Sequence, residues 1–129
     1  KRQIQRRIVR LLATNPEGRG LRLIGGLRLR LLDESHRRSV DVDLHTSENL
    51  EEKRDAVLAL LRRKLLPEVR EMLGYEGHVA LATGPDADTP FVKTLELAFY
   101  IRDFACSRIE VPVDITTIQT LDKPEIAPD

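Results

Sequence analysis

A chain of 129 residues, 41% hydrophobic and 33% charged, has the size and apolar content of one domain with its own core. No apolar run nears the roughly 20 residues of a membrane span, and the basic N-terminus leads only into a short apolar stretch broken at Arg10, which is not a secretory pattern. The single cysteine, Cys106, excludes an internal disulfide and a cysteine zinc cage; it is expected as a small buried hydrophobe, and the chain as a cytoplasmic protein.

The net charge of zero hides an asymmetry. Residues 1–38 hold eleven Lys/Arg against three Asp/Glu, and residues 39–129 hold ten against eighteen. A basic front could meet phosphates and an acidic remainder could hold metal, or the two could be solvated faces that pair with each other. With two Tyr, three Phe and no Trp, a base-stacking platform for single strands is not expected.

In chain order, residues 2–13 read as a helix whose Ile4, Ile8, Leu11 and Leu12 share one face, with arginines around the rest. Those arginines either approach an RNA acceptor or form a solvated face. Asn15-Pro16-Glu17-Gly18 is a turn. Leu21, Leu23 and Ile24 suit a short strand closed by Gly25-Gly26. Leu27 to Leu32 alternates Leu and Arg, but a glycine pair followed by strong helix formers favours a helix there.

Ser39 to His45 alternates strictly, with Val40, Val42 and Leu44 on one side and Ser39, Asp41, Asp43 and His45 on the other: a half-buried strand with both aspartates on one face. Residues 48–66 form the clearest helix, with Leu50, Val57, Leu58, Leu61 and Leu65 as its stripe. Pro67 is expected to end or kink it, with a further turn or two over 68–73. Val79–Ala82, residues 91–101 and Ile109–Ile115 read as strands, the last two strictly alternating. The order predicts an α+β domain with a mixed sheet flanked by helices.

Asp41 and Asp43, two apart on a strand, put carboxylates roughly 7 Å apart on one face. Such crowding is costly unless a cation neutralises it, and a hard, oxygen-seeking ion such as Mg²⁺ is the natural partner. Asp114 lies on a late strand whose other face is apolar, and joins as a third carboxylate if the strands are neighbours. Three carboxylates allow two Mg²⁺ to clamp the attacking and leaving oxygens of an in-line displacement. Gly25-Gly26, sixteen residues before Asp41, lets backbone approach an anion at a helix N-terminus. Pro112, two residues before Asp114, removes a ladder donor and argues for an edge or irregular strand. His45 reads as a strand-end surface residue or a proton relay. His78 reads as structural at a loop-to-strand junction, and Glu96 and Glu110 as solvent-facing.

Leu23-Ile24-Gly25-Gly26-Leu27-Arg28-Leu29 followed by His36-Arg37-Arg38-Ser39-Val40-Asp41-Val42-Asp43-Leu44 resembles the motif of the AbiEii/AbiGii-like nucleotidyltransferases. These belong to the polymerase-β-like superfamily, and many are the toxin half of toxin–antitoxin pairs. The family pattern runs approximately apolar-Gly-Gly, a short helix, then His-Arg-x-Ser-x-Asp-x-Asp-Leu, and His36, Arg37, Ser39, Asp41, Asp43 and Leu44 match in order. The resemblance covers residues 21–45, about a fifth of the chain.

The resemblance implies a polymerase-β-like nucleotidyltransferase core that transfers an NMP from an NTP to an acceptor hydroxyl such as that of RNA or tRNA. Gly25 and Gly26 would contact the NTP phosphates, with Arg37 and Ser39 positioning phosphates or orienting the aspartates. Asp41 and Asp43 would bind both metals. Asp114 would act on the acceptor hydroxyl as base or second-metal ligand. A cognate antitoxin protein is the implied partner. Leu27 stands where a small or hydroxyl residue is common in the family. Residues 1–129 are expected to be a catalytic domain cut from a longer chain and lacking a C-terminal helical region. The competing readings are a non-catalytic nucleotide- or partner-binding domain of the same fold, and a metal-dependent nuclease built on the same aspartates.

Overall fold

The computed structural model describes residues 1–23, 42–85 and 87–117. Helix α1 (Arg2–Thr14) buries the four apolar residues that its spacing predicts, Ile4, Ile8, Leu11 and Leu12. A 3₁₀ turn (Pro16–Gly18) leads to strand β1 (Leu21–Leu23), and β2 follows at Val42–Thr46. Helix α2 (Leu50–Leu60) starts at Asn49, whose side chain caps it by accepting from the N–H of Glu52 at 2.9 Å.

The helix does not stop before Pro67. A π turn (Leu61–Leu65) joins α2 to α3 (Leu66–Leu73), with Leu60, Leu65 and Leu66 all right-handed helical. Proline has no N–H to donate to the preceding turn, and the wider i+5 ladder, in which Leu66 N–H bonds to Leu61 carbonyl, absorbs that missing bond. Arg62 ties the π turn to the sheet by donating Nε and a terminal nitrogen to the Val79 carbonyl, at 3.0 and 2.8 Å. Gly74 ends α3 in the left-handed conformation, φ 78°, where a side chain would be strained.

Three further strands follow among the described residues: β3 (Glu76–Leu81), β4 (Val92–Ile101) and β5 (Phe104–Thr116). The five strands form one sheet in the order β1-β2-β5-β4-β3. Among the described strands only β2 and β5 run parallel and the other neighbours are antiparallel, so the sheet is mixed, as the order of elements predicts. Between β2 and β5 the chain passes through the helices and then β3 and β4, the long connection that a parallel pair needs.

Register assigns each strand residue to a face. Val42 and Leu44, Val111, Val113 and Ile115, Leu95, Leu97 and Phe99, and Val79 all fall on one face. They form one buried cluster with Ile4, Ile8, Val57, Leu61, Leu65 and Val69 of the helices. Lys93 falls on this face as well and is buried; it pairs with Asp88 and, at 3.8 Å, with Glu51, so its ammonium is not left without counter-charge.

Several expectations change. β2 is an interior strand with Val42, Asp43, Leu44 and Thr46 all buried, rather than a half-buried one. β5 is also interior despite Pro112: its described pairing with β2 begins at Val113, one residue beyond the proline. β3 begins at Glu76, so His78 is an exposed strand residue rather than a junction. β5 begins five residues before Ile109, and Cys106 within that extension is exposed instead of buried. The β4–β5 hairpin turns at Arg102-Asp103, with Asp103 at φ 71°, and Ser107 accepts from the Ile101 N–H at 2.7 Å.

Candidate functional site: a row of side-chain oxygens across the sheet

The face opposite the core carries the polar positions. In the parallel pair, Asp43 of β2 is in register with Asp114 of β5; in the adjacent antiparallel pair, Asp114 is in register with Thr94 of β4. Residues in register on neighbouring strands project to the same side, with strands about 4.8 Å apart. Asp43, Asp114 and Thr94 therefore form one continuous row. Asp43 is 7% exposed and Thr94 2%, while Asp114 is half-buried. Thr94 Oγ1 donates to Asp114 Oδ1 at 2.5 Å, a charge-assisted hydrogen bond that fixes one side of the carboxylate.

The row next to it runs Arg22, His45, Thr116, Val92 from β1 to β4. Thr116 Oγ1 donates to the Leu44 carbonyl at 3.2 Å, a buried bond that joins β5 to β2 beside the carboxylates. Farther along the same face, Glu96 and Glu110 are exposed, as their alternation predicts, and Glu110 pairs with Arg108.

Two carboxylates abreast in a largely dry position repel each other unless a cation or proton intervenes. An oxygen-only donor pair suits a hard divalent ion. Among the described residues no group of three His, Cys, Asp or Glu is close enough to hold a metal. The third expected carboxylate, Asp41, lies outside the described residues, as do Gly25, Gly26, His36, Arg37, Ser39 and the helix expected over 27–32. The structure thus brings together Asp43 and Asp114 and adds Thr94.

The turn that leads into β1 is anchored by several contacts. Buried Lys53 donates to the Arg19 carbonyl at 2.6 Å and pairs with Glu48 at 3.2 Å, holding the turn that feeds β1. Gly18 lies against the last turn of α1; a Cβ there would be 1.9 Å from the Leu12 carbonyl oxygen, so only glycine fits. Beside it, Arg63 donates to Glu17 at 2.9 Å and holds that carboxyl below the usual carboxylate range. Asp88 is lowered in the same sense by its hydrogen bond to Lys93.

A cleft of about 560 Å³ between α1 and β1, lined by Val9, Leu12, Ala13, Leu21, Leu23 and Leu44, is mostly apolar. Leu44 belongs to the core face, so this cleft opens on the side of the sheet away from Asp43 and Asp114 and is not their binding space.

No protein-family model matches the chain. No curated protein matches it either. Among solved structures, one entitled "Crystal structure of JHP933 from Helicobacter pylori" is similar, at 16% identity and a TM-score of 0.45 over 98% of this chain and 47% of that one. The chain spans about half the length of that Helicobacter pylori protein.

Proposed function

We propose that this chain is the catalytic core of a Mg²⁺-dependent nucleotidyltransferase with a polymerase-β-like arrangement. It would move a nucleoside monophosphate from an NTP to an acceptor hydroxyl. The observation that carries the reading is the in-register pairing of Asp43 with Asp114 on the polar face of the sheet. That pairing gives the motif of residues 23–44 a partner carboxylate seventy residues away in sequence.

In this reading Asp41 and Asp43 hold Mg²⁺, and Asp114 completes the cluster on the acceptor side. Mg²⁺ held there would supply charge neutralisation at the transferring phosphoryl group and would lower the cost of deprotonating the acceptor hydroxyl. The chain's residues do the positioning. Gly25 and Gly26 cradle the NTP phosphates through backbone N–H groups, while Arg37 and Ser39 orient phosphates and aspartates. Asp114 receives the acceptor's hydroxyl proton or orients that hydroxyl. No protein nucleophile is needed, because alignment and charge stabilisation supply most of phosphoryl-transfer catalysis. The motif's resemblance extends the proposal to an RNA or tRNA acceptor and to a toxin restrained by a cognate antitoxin protein.

Isothermal titration of each Mg-NTP into the full-length chain tests the binding half. Wild type is expected to bind at least one NTP, and Asp43→Asn to weaken that binding about tenfold or more. Equal binding by the two would remove Asp43 from the site. Mg²⁺-dependent cleavage of RNA without any NTP would instead support a nuclease.

A further inference from the structure

Thr94 carries no charge and belongs to no motif, yet it ends the carboxylate row. Its side chain is 2% exposed, and its hydroxyl donates to Asp114 Oδ1 at 2.5 Å. Its backbone is held at both polar groups: the N–H donates to the Ala87 carbonyl at 2.9 Å, and the carbonyl accepts from Ala82 N–H at 3.0 Å. The turn that follows β3 therefore pins the residue at the place where β4 leaves its pairing with that strand. A β-branched side chain on a fixed backbone has few χ1 choices, so the hydroxyl is presented in one direction.

A carboxylate on a strand can rotate about its own χ angles, and a metal site built on it is only as well defined as that rotation permits. The bond to Oδ1 anchors that oxygen and restricts rotation of the Asp114 carboxylate, which narrows the directions open to its other oxygen. Asp43 stands on the opposite flank of Asp114 from Thr94, since β5 lies between β2 and β4. The row thus has a donor at one end and a second acidic group at the other, with the carboxylate held between them.

We propose that Thr94 is a positioning residue for a divalent-cation site on Asp43 and Asp114. It sets the Asp114 carboxylate for the cation without touching the cation itself. This rests on the reading of those two aspartates as metal ligands. Groups that orient ligating carboxylates typically change metal affinity about 10–100-fold when removed.

The probe is Mn²⁺, titrated into the full-length chain and followed by electron paramagnetic resonance, which detects binding without turnover. Thr94→Val keeps the shape and loses the donor; Thr94→Ser keeps the donor. Thr94→Ala is the second donor-less variant in case valine disturbs the packing, and circular dichroism checks that each variant is folded. The expected result is Mn²⁺ affinity lowered about 10–100-fold in folded Thr94→Val or Thr94→Ala, with Thr94→Ser close to wild type. Wild-type affinity in a folded donor-less variant would overturn the proposal and leave the aspartate site standing. Wild type without saturable Mn²⁺ binding would overturn both.

Discussion

Asp43 and Asp114 face each other across the only parallel strand pair among the described strands, seventy-one residues apart in sequence and adjacent in the sheet. One is buried and the other half-buried, so water screens their repulsion poorly. Their mutual repulsion opposes folding to the extent that neither a proton nor a positive charge offsets it, and a cation bound between them would do so.

Neutralising either member should therefore separate function from folding. Asp43→Asn and Asp114→Asn are expected to abolish transfer while leaving the metal-free protein as stable as wild type or more so. The gain is bounded by about 3 kcal/mol, the repulsion of two unit charges some 5 Å apart at an effective dielectric near 20. Urea unfolding in EDTA measures it. A clear loss of stability in both variants would mean that the aspartates serve folding rather than a cation.

Asp114 acts on the acceptor in this account, so its removal should fall on turnover. Asp114→Ala is expected to lower kcat far more than it weakens NTP binding, because the acceptor's interactions strengthen mainly in the transition state. Steady-state kinetics beside NTP titration separates the two. Parallel losses in kcat and binding would place Asp114 on the nucleotide instead.

The turn below β1 makes a purely structural prediction. At Gly18 an added methyl would meet the backbone carbonyl of Leu12 at 1.9 Å, and backbone cannot yield as a flexible side chain can. Gly18→Ala should destabilise the chain by about 1–3 kcal/mol or more, as overpacking does, and lower the midpoint of chemical unfolding. An unchanged midpoint would mean that α1 and the turn are not packed this closely.

Acid should loosen two partly buried ion pairs. Glu17 and Asp88 are both held below their ordinary values, by hydrogen bonds from Arg63 and Lys93 respectively. A depressed carboxyl contributes stability that is present above its unfolded value, 4.5 for Glu17 and 3.8 for Asp88, and that is lost as pH falls through the lower folded value. Thermal melts from pH 6 to pH 2 should therefore fall less steeply at the acid end in Glu17→Gln and Asp88→Asn than in wild type. Identical acid limbs would show that these pairs contribute nothing measurable, as many exposed ion pairs do.

Much of this architecture was legible in the sequence because alternation and helical spacing record burial directly. Val42 and Leu44 against Asp43, and Val111, Val113 and Ile115 against Asp114, specified two strands and the faces of their aspartates. That those strands are neighbours was not legible, since a parallel pairing across two helices and two strands leaves no local mark. Pro112 argues for an edge only if the strand its nitrogen faces needs a donor there, and the described β2 pairing begins just past it. Thr94 was invisible because a threonine acquires meaning only from what stands opposite. The exposed start of β5 at Phe104, with Cys106 in it, leaves no apolar pattern in the sequence, because its pairing depends on the hairpin turn at Arg102-Asp103.

The central claim is nucleotidyl transfer, and one measurement bears on it most directly. The full-length chain is incubated with Mg²⁺, total RNA and each NTP in turn, labelled at the α-phosphate, and the macromolecular fraction is assayed for label. The account predicts that at least one NTP transfers its labelled monophosphate to RNA, that EDTA stops the transfer, and that Asp43→Asn does not support it. Label that never leaves the nucleotide pool with any of the NTPs, or transfer undiminished in Asp43→Asn, would contradict it.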